Sequence, residues 1–112
     1  MKIRRAAYAG TFYEGQAESL RNQIEDCFNH KLGPGTLPKV ADGPLKDTVG
    51  LVCPHAGYMY SGPVAAHGYY NLALDGKPDL IVIFGSNHTG IGSGLAVMRE
   101  GMWRTPLGEV EV

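Results

Sequence analysis

Two apolar runs about thirty residues apart constrain this chain most. Val49-Gly50-Leu51-Val52-Cys53 stops at Pro54, and His55 follows at once. Leu80-Ile81-Val82-Ile83-Phe84 stops at Gly85, and His88 follows within three residues. A short, continuously apolar run bounded by turn residues is the pattern of a strand covered on both faces. Strands are therefore expected over 48–53 and 79–85. Between them a helical segment is expected to about Leu74, with Ser61 as N-cap and Pro63 in the first turn. Val64, Ala65, Gly68, Tyr69 and Leu72 share a face of that helix. Asp75-Gly76-Lys77-Pro78 ends it, Gly76 suiting a left-handed cap. A strand–helix–strand unit crosses over right-handed, so both histidine loops emerge at the same sheet edge. In open α/β sheets ligands bind there, outside the carboxyl ends of the strands.

The rest of the chain supports an α/β reading. Ala17, Leu20, Ile24, Cys27 and Phe28 form one apolar stripe, which predicts a helix over 16–30. Residues 32–47 are broken by Gly33, Pro34, Gly35, Pro38, Gly43 and Pro44 and read as a surface loop. Residues 95–98 read as a further strand. Trp103 to Gly108 reads as a turn with an aromatic anchor before an alternating run, Gly108 to Val112. The glycines at 90, 92 and 94 lack a following Gly-Lys-Ser/Thr and an amphipathic helix, which excludes a P-loop and a dinucleotide fingerprint. The expected architecture is layered α/β/α, with a βαβ unit and a mainly parallel central sheet. Two such strands and two helices make a thin core. The chain, 1–112, is expected to be the N-terminal part of a single, larger α/β domain.

Composition narrows the function classes. With 112 residues, 44% of them hydrophobic, and a net charge of −1, this is ordinary globular material. No basic excess favours nucleic acid, and no apolar run is long enough to span a bilayer. No signal-peptide pattern follows Met1-Lys2-Ile3-Arg4-Arg5, so a cytoplasmic protein is expected. Cys27 and Cys53 form no CxxC pair and read as reduced thiols. His67, on the helix face opposite the apolar one, reads as a surface residue.

His55 and His88 are the candidate site residues, as catalytic groups and as metal ligands. Two neutral imidazoles with a third, anionic ligand suit a first-row transition metal, iron or copper more than magnesium. Either histidine could instead be a general base, because imidazole titrates near neutral pH. The bland alternative is a pair of loop histidines satisfied by hydrogen bonds. Phe12, Tyr13, Tyr58, Tyr60, Ser86 and Asn87 are candidates to line the pocket. Phe12 and Tyr13 could equally plug the core, one of Tyr58 and Tyr60 could pack under the loop, and Ser86 and Asn87 could be turn formers.

Four blocks carry a resemblance. Ala9-Gly10-Thr11-Phe12-Tyr13, Pro54-His55-Ala56-Gly57-Tyr58-Met59-Tyr60-Ser61-Gly62, Phe84-Gly85-Ser86-Asn87-His88 and Trp103-Arg104-Thr105-Pro106-Leu107-Gly108 stand in the order and spacing of the Memo-like family. Prokaryotic members of that family are called AmmeMemoRadiSam system protein B. The resemblance implies a fold like that of class III extradiol ring-cleaving dioxygenases. It implies a site of two histidines, here His55 and His88, and a cysteine that lies beyond Val112. Cys53 is not that cysteine's counterpart. A non-haem metal-dependent oxidoreductase is one function it implies. The other is a non-catalytic module that binds a peptide or protein partner, for which a radical SAM protein of the same system and a peptide ligand are the candidates. The chain departs from the pattern at Phe12, where a tryptophan is usual, and at Gly85-Ser86-Asn87-His88-Thr89, which lacks a second consecutive histidine.

Overall fold

Ala17–Asn29 forms helix α1, as the apolar stripe predicts, and the stripe is what it buries. Leu20 and Cys27 are buried, while Ile24 and Phe28 are partly covered. The computed structural model describes residues 1–112, and its second helix, α2, spans Tyr58–Asp75. The two helices pack on each other. The contact is made where α2 is thinnest. Gly62 and Ala66 are its buried residues, and the Cys27 thiol lies against Gly62. Small residues let two helix backbones approach closely, so a glycine here is a packing residue.

Helix α2 begins earlier than Ser61, and Gly57 is its N-cap. Three hydrogen bonds draw the start back. The Tyr58 N–H donates to Phe12 O at 2.8 Å, and the Tyr60 and Ser61 N–H groups donate to Gly57 O. Ser61 Oγ then turns to Ala56 O, at 3.1 Å, and does not cap the helix. Pro63 falls inside α2 rather than in its first turn. It supplies no N–H to the carbonyl one turn earlier, on Met59, and Met59 is exposed, so water can replace that donor. The face expected to be apolar is only half used, because Val64 and Tyr69 stay more than half exposed.

The sheet has three strands: β1 (Ile3–Arg4), β2 (Met102–Thr105) and β3 (Gly108–Glu111), in the order β1-β2-β3. β1 runs parallel to β2, with Ile3 opposite Met102 and Arg4 opposite Trp103. β2 and β3 form an antiparallel hairpin closed by Pro106 and Leu107. Trp103–Thr105 is thus a strand and not part of a turn, because all three residues pair with β3 and Trp103 also pairs with β1. Thr105 Oγ1 stabilises the turn, donating to Gly108 O and accepting from Leu107 N–H. Arg104 pairs with Glu109, its cross-strand neighbour, at 2.7 Å, and Arg4 lies over the Trp103 ring, 5.0 Å from its centroid. The chain is therefore α/β, with helices and a mixed sheet.

The strands expected over 48–53, 79–85 and 95–98 are not formed as ladders. No backbone hydrogen bond joins the first two runs to each other or to any neighbour along 49–53 and 79–88. A strand is defined by its partner, and within this chain these runs have none. Val49, Val52, Leu80, Phe84, Leu95 and Val97 are all at least four-fifths exposed. The consequence shows in the whole surface. A compact chain of this size exposes about 6,000 Å², whereas this one exposes 9028 Å². Its radius of gyration is 15.0 Å, against about 13 Å for a compact domain of equal length.

Candidate functional site

His55 and His88 meet. Their Nε2 atoms are 2.8 Å apart, with ring centroids 5.0 Å apart and planes inclined at 45°. The chain separating them is α2 and the second extended run. The first run lies along α2, since a methyl group added at Gly68 would sit 3.3 Å from Cys53 Sγ and 3.7 Å from Leu51. The second returns from the far end of α2 through Asp79 to Gly85. Both rings are therefore delivered to the same end of α2 without a ladder between the runs that carry them.

The pair's chemistry follows from its geometry. A hydrogen bond between two Nε2 atoms needs one ring protonated there and the other bare. A metal between them needs both bare, with the protons on Nδ1. Two imidazole nitrogens bound cis to one metal, each at about 2.1 Å, are roughly 2.9–3.4 Å apart. The observed 2.8 Å lies just below that range, so moving the rings apart by a few tenths of an ångström would convert one state into the other. No group of three His, Cys, Asp or Glu side chains converges anywhere in the chain. Two imidazoles are thus brought together here, and no third such side chain joins them.

The aromatic candidates divide. Phe12 and Tyr13 line a groove of about 290 Å³ with Tyr60, Met59, Glu14 and Gln23. Neither histidine lines it. Phe12 stacks on Tyr8 at 5.0 Å and remains half exposed, and Tyr60 is largely exposed. Tyr58 packs behind, its ring 5.4 Å from Tyr13. Burial, reinforced by Tyr69, Tyr13 and Cys27, pushes the Tyr58 phenol up, so it stays a neutral donor. Ser86 and Asn87 are both exposed on the His88 loop. Asn87 Oδ1 accepts from Gly90 N–H at 2.9 Å, which makes it a turn former in this chain. Cys53 packs on α2, beside Tyr69. His67 is exposed, as read, and its Nε2 donates to Leu32 O at 2.9 Å.

Gln23 and Met59 line the groove without having been singled out from the sequence. Gln23 sits on the partly covered flank of α1 and accepts from Glu14 N–H at 2.9 Å. The periodicity of α1 places it beside the stripe, but nothing in the sequence pairs it with Glu14. Met59 falls in the stretch that the sequence assigns to a loop ahead of Ser61.

The chain matches the family described as Memo-like protein over residues 4–112. The chain belongs to that Memo family. A MEMO1 family protein of Methanothermobacter thermautotrophicus is 57% identical over 98% of this chain and 39% of its own length. One from Aeropyrum pernix is 54% identical over 100% of this chain and 40% of its own. One from Methanopyrus kandleri is 57% identical over 97% and 38%. The chain thus spans about two-fifths of the length of these curated relatives. No solved structure matches it. No helix is long and apolar enough to cross a membrane.

Proposed function

We propose that this Memo family chain carries two ligands of a first-row transition-metal site, His55 and His88. The observation that supports this reading is the 2.8 Å approach of two Nε2 atoms from loops 33 residues apart. A donor set of two imidazoles suits iron or copper, with the third place filled by a ligand outside this chain. A bound metal would supply Lewis acidity and open positions for a chelating substrate or dioxygen. With a metal bound, His55 and His88 would hold it through bare Nε2 atoms, each ring keeping its proton on Nδ1. The oxidoreductase activity and its substrate belong to the whole protein and are proposed on the same ground.

The test is metal binding by the chain and by His55→Ala and His88→Ala. Titration with iron(II) and copper(II) should give one site per chain that is weakened at least about tenfold in both variants. Unchanged affinity in either variant would rule the pair out as ligands. A second reading, a module that binds without turnover, is supported by the exposed aromatic groove of Phe12, Tyr13 and Tyr60. Its ligand would be a peptide or a protein partner such as a radical SAM protein. Partner binding that depends on Phe12 and Tyr60 and ignores both histidines would favour it.

A further inference from the structure

The end of α2 remote from the histidines is unusually tied. The Asp75 carboxylate accepts the N–H groups of three consecutive residues, Lys46, Asp47 and Thr48, at 2.8–3.4 Å, the shortest from Thr48. Around it, Ala41 N–H donates to Ala73 O and Lys77 N–H donates to Gly43 O, both within 2.9 Å. Pro44 and Lys77 form an isolated parallel bridge, and Gly76, at φ 151°, passes so close to Pro44 O that a side chain there would collide. The first histidine run leaves this latch after Thr48. The second leaves it after Lys77.

We propose that Asp75 is a positioning residue for the His55–His88 pair, a role that rests on that pair being the functional site. The two runs have no backbone bonds to each other, so their relative register must be held at the ends. At one end is the imidazole contact; at the other is the latch, with Asp75 at its centre. Registry matters because one residue of slip moves a strand by about 3.3 Å and turns each side chain to the opposite face. That displacement exceeds the 2.8 Å separation of the imidazole nitrogens. Three N–H groups on one carboxylate fix where the run begins along α2, and the contacts of Leu51 and Cys53 with Gly68 carry that register toward His55. A cap serving α2 alone would not need donors from the run that leads to the site.

The experiment compares the chain with Asp75→Ala and Asp75→Asn. Three measurements are made: helix content by circular dichroism, the NOE between the His55 and His88 ring protons in metal-free protein, and cobalt(II) affinity by absorption. Asp75→Ala should keep its helix signal, lose the NOE and bind cobalt about tenfold more weakly, the size of effect usual for groups that orient metal ligands. Asp75→Asn, whose amide oxygen still accepts, should fall between the two. An unchanged NOE and unchanged affinity in Asp75→Ala would overturn the proposal. So would loss of helix content in both variants, which would make Asp75 a folding residue only. If the unaltered chain binds no cobalt, the metal reading fails, and the NOE alone then decides the role of Asp75.

Discussion

His55 Nε2 and His88 Nε2 share one proton position across 2.8 Å, so neither ring can be altered without changing the other's partner. Residues that act as a unit are non-additive. The single variants His55→Ala and His88→Ala should therefore each weaken metal binding by at least about tenfold, roughly 1.4 kcal/mol. The double variant should lose little more than either one. Competition against a chromophoric chelator measures all three affinities. Losses that simply add would show two independent imidazoles and not one site.

Cys27 and Gly62 define the contact between α1 and α2, and they predict a size limit there. No room exists for a methyl group on Gly62 beside the Cys27 thiol. Gly62→Ala should destabilise the chain by about 1–3 kcal/mol, the usual range for overpacking. Replacing the sulfur by a hydrogen makes room, so Cys27→Ala introduced into Gly62→Ala should recover part of that loss. Denaturant midpoints of the four proteins test this. A double variant no more stable than Gly62→Ala alone would place the strain elsewhere.

Much of this was legible because local pattern and tertiary outcome agree. The stripe from Ala17 to Phe28 gives α1 almost to the residue, since a helix satisfies its own backbone and needs neighbours only for one face. The runs ending at Cys53 and Phe84 are as apolar as a covered strand, but a ladder is not local, and no strand of this chain pairs with them. That is why β2, with a single expected turn at Trp103 to Gly108, formed strands while the most strand-like runs did not. The histidine pair was legible because both rings follow directly on such runs. Asp75 was not, since a carboxylate at a helix end has no pattern that points to Lys46, Asp47 and Thr48. The start of α2 was missed for the same reason: the acceptor for Tyr58 N–H is Phe12 O, 46 residues away in sequence.

Leu80 to Phe84 is a continuous apolar run, β-branched at Ile81, Val82 and Ile83, with every residue at least 64% exposed. Such a segment pairs with whatever strand it meets. The chain alone should therefore self-associate at micromolar concentration. Ile83→Lys should reduce the light scattering, because a lysine on a strand edge opposes pairing. A polypeptide covering the three-fifths of the Methanothermobacter relative that this chain does not match should suppress it further. Hydrogen exchange would then show slowed amides at 80–84. A monodisperse chain with fast exchange that ignores the added polypeptide would contradict this.

Asp75 also sets a pH dependence of stability whose sign is fixed by its partners. The backbone N–H and the side chain of Thr48, then the N–H groups of Asp47 and Lys46, hold its carboxyl below the ordinary value of 3.8, outweighing the opposing effect of burial. A folded-state value below the unfolded one means that the native chain releases this proton more readily. The stabilisation is fully present above 3.8 and is lost as pH falls through the lower folded value. Asp75→Asn removes the charge at every pH. It should lower the urea midpoint at pH 7 and leave that of the unaltered chain ahead until the two converge in the acid range. Midpoints measured from pH 7 downward test this, and a gap that widens on acidification would require a carboxyl bound more tightly in its protonated form.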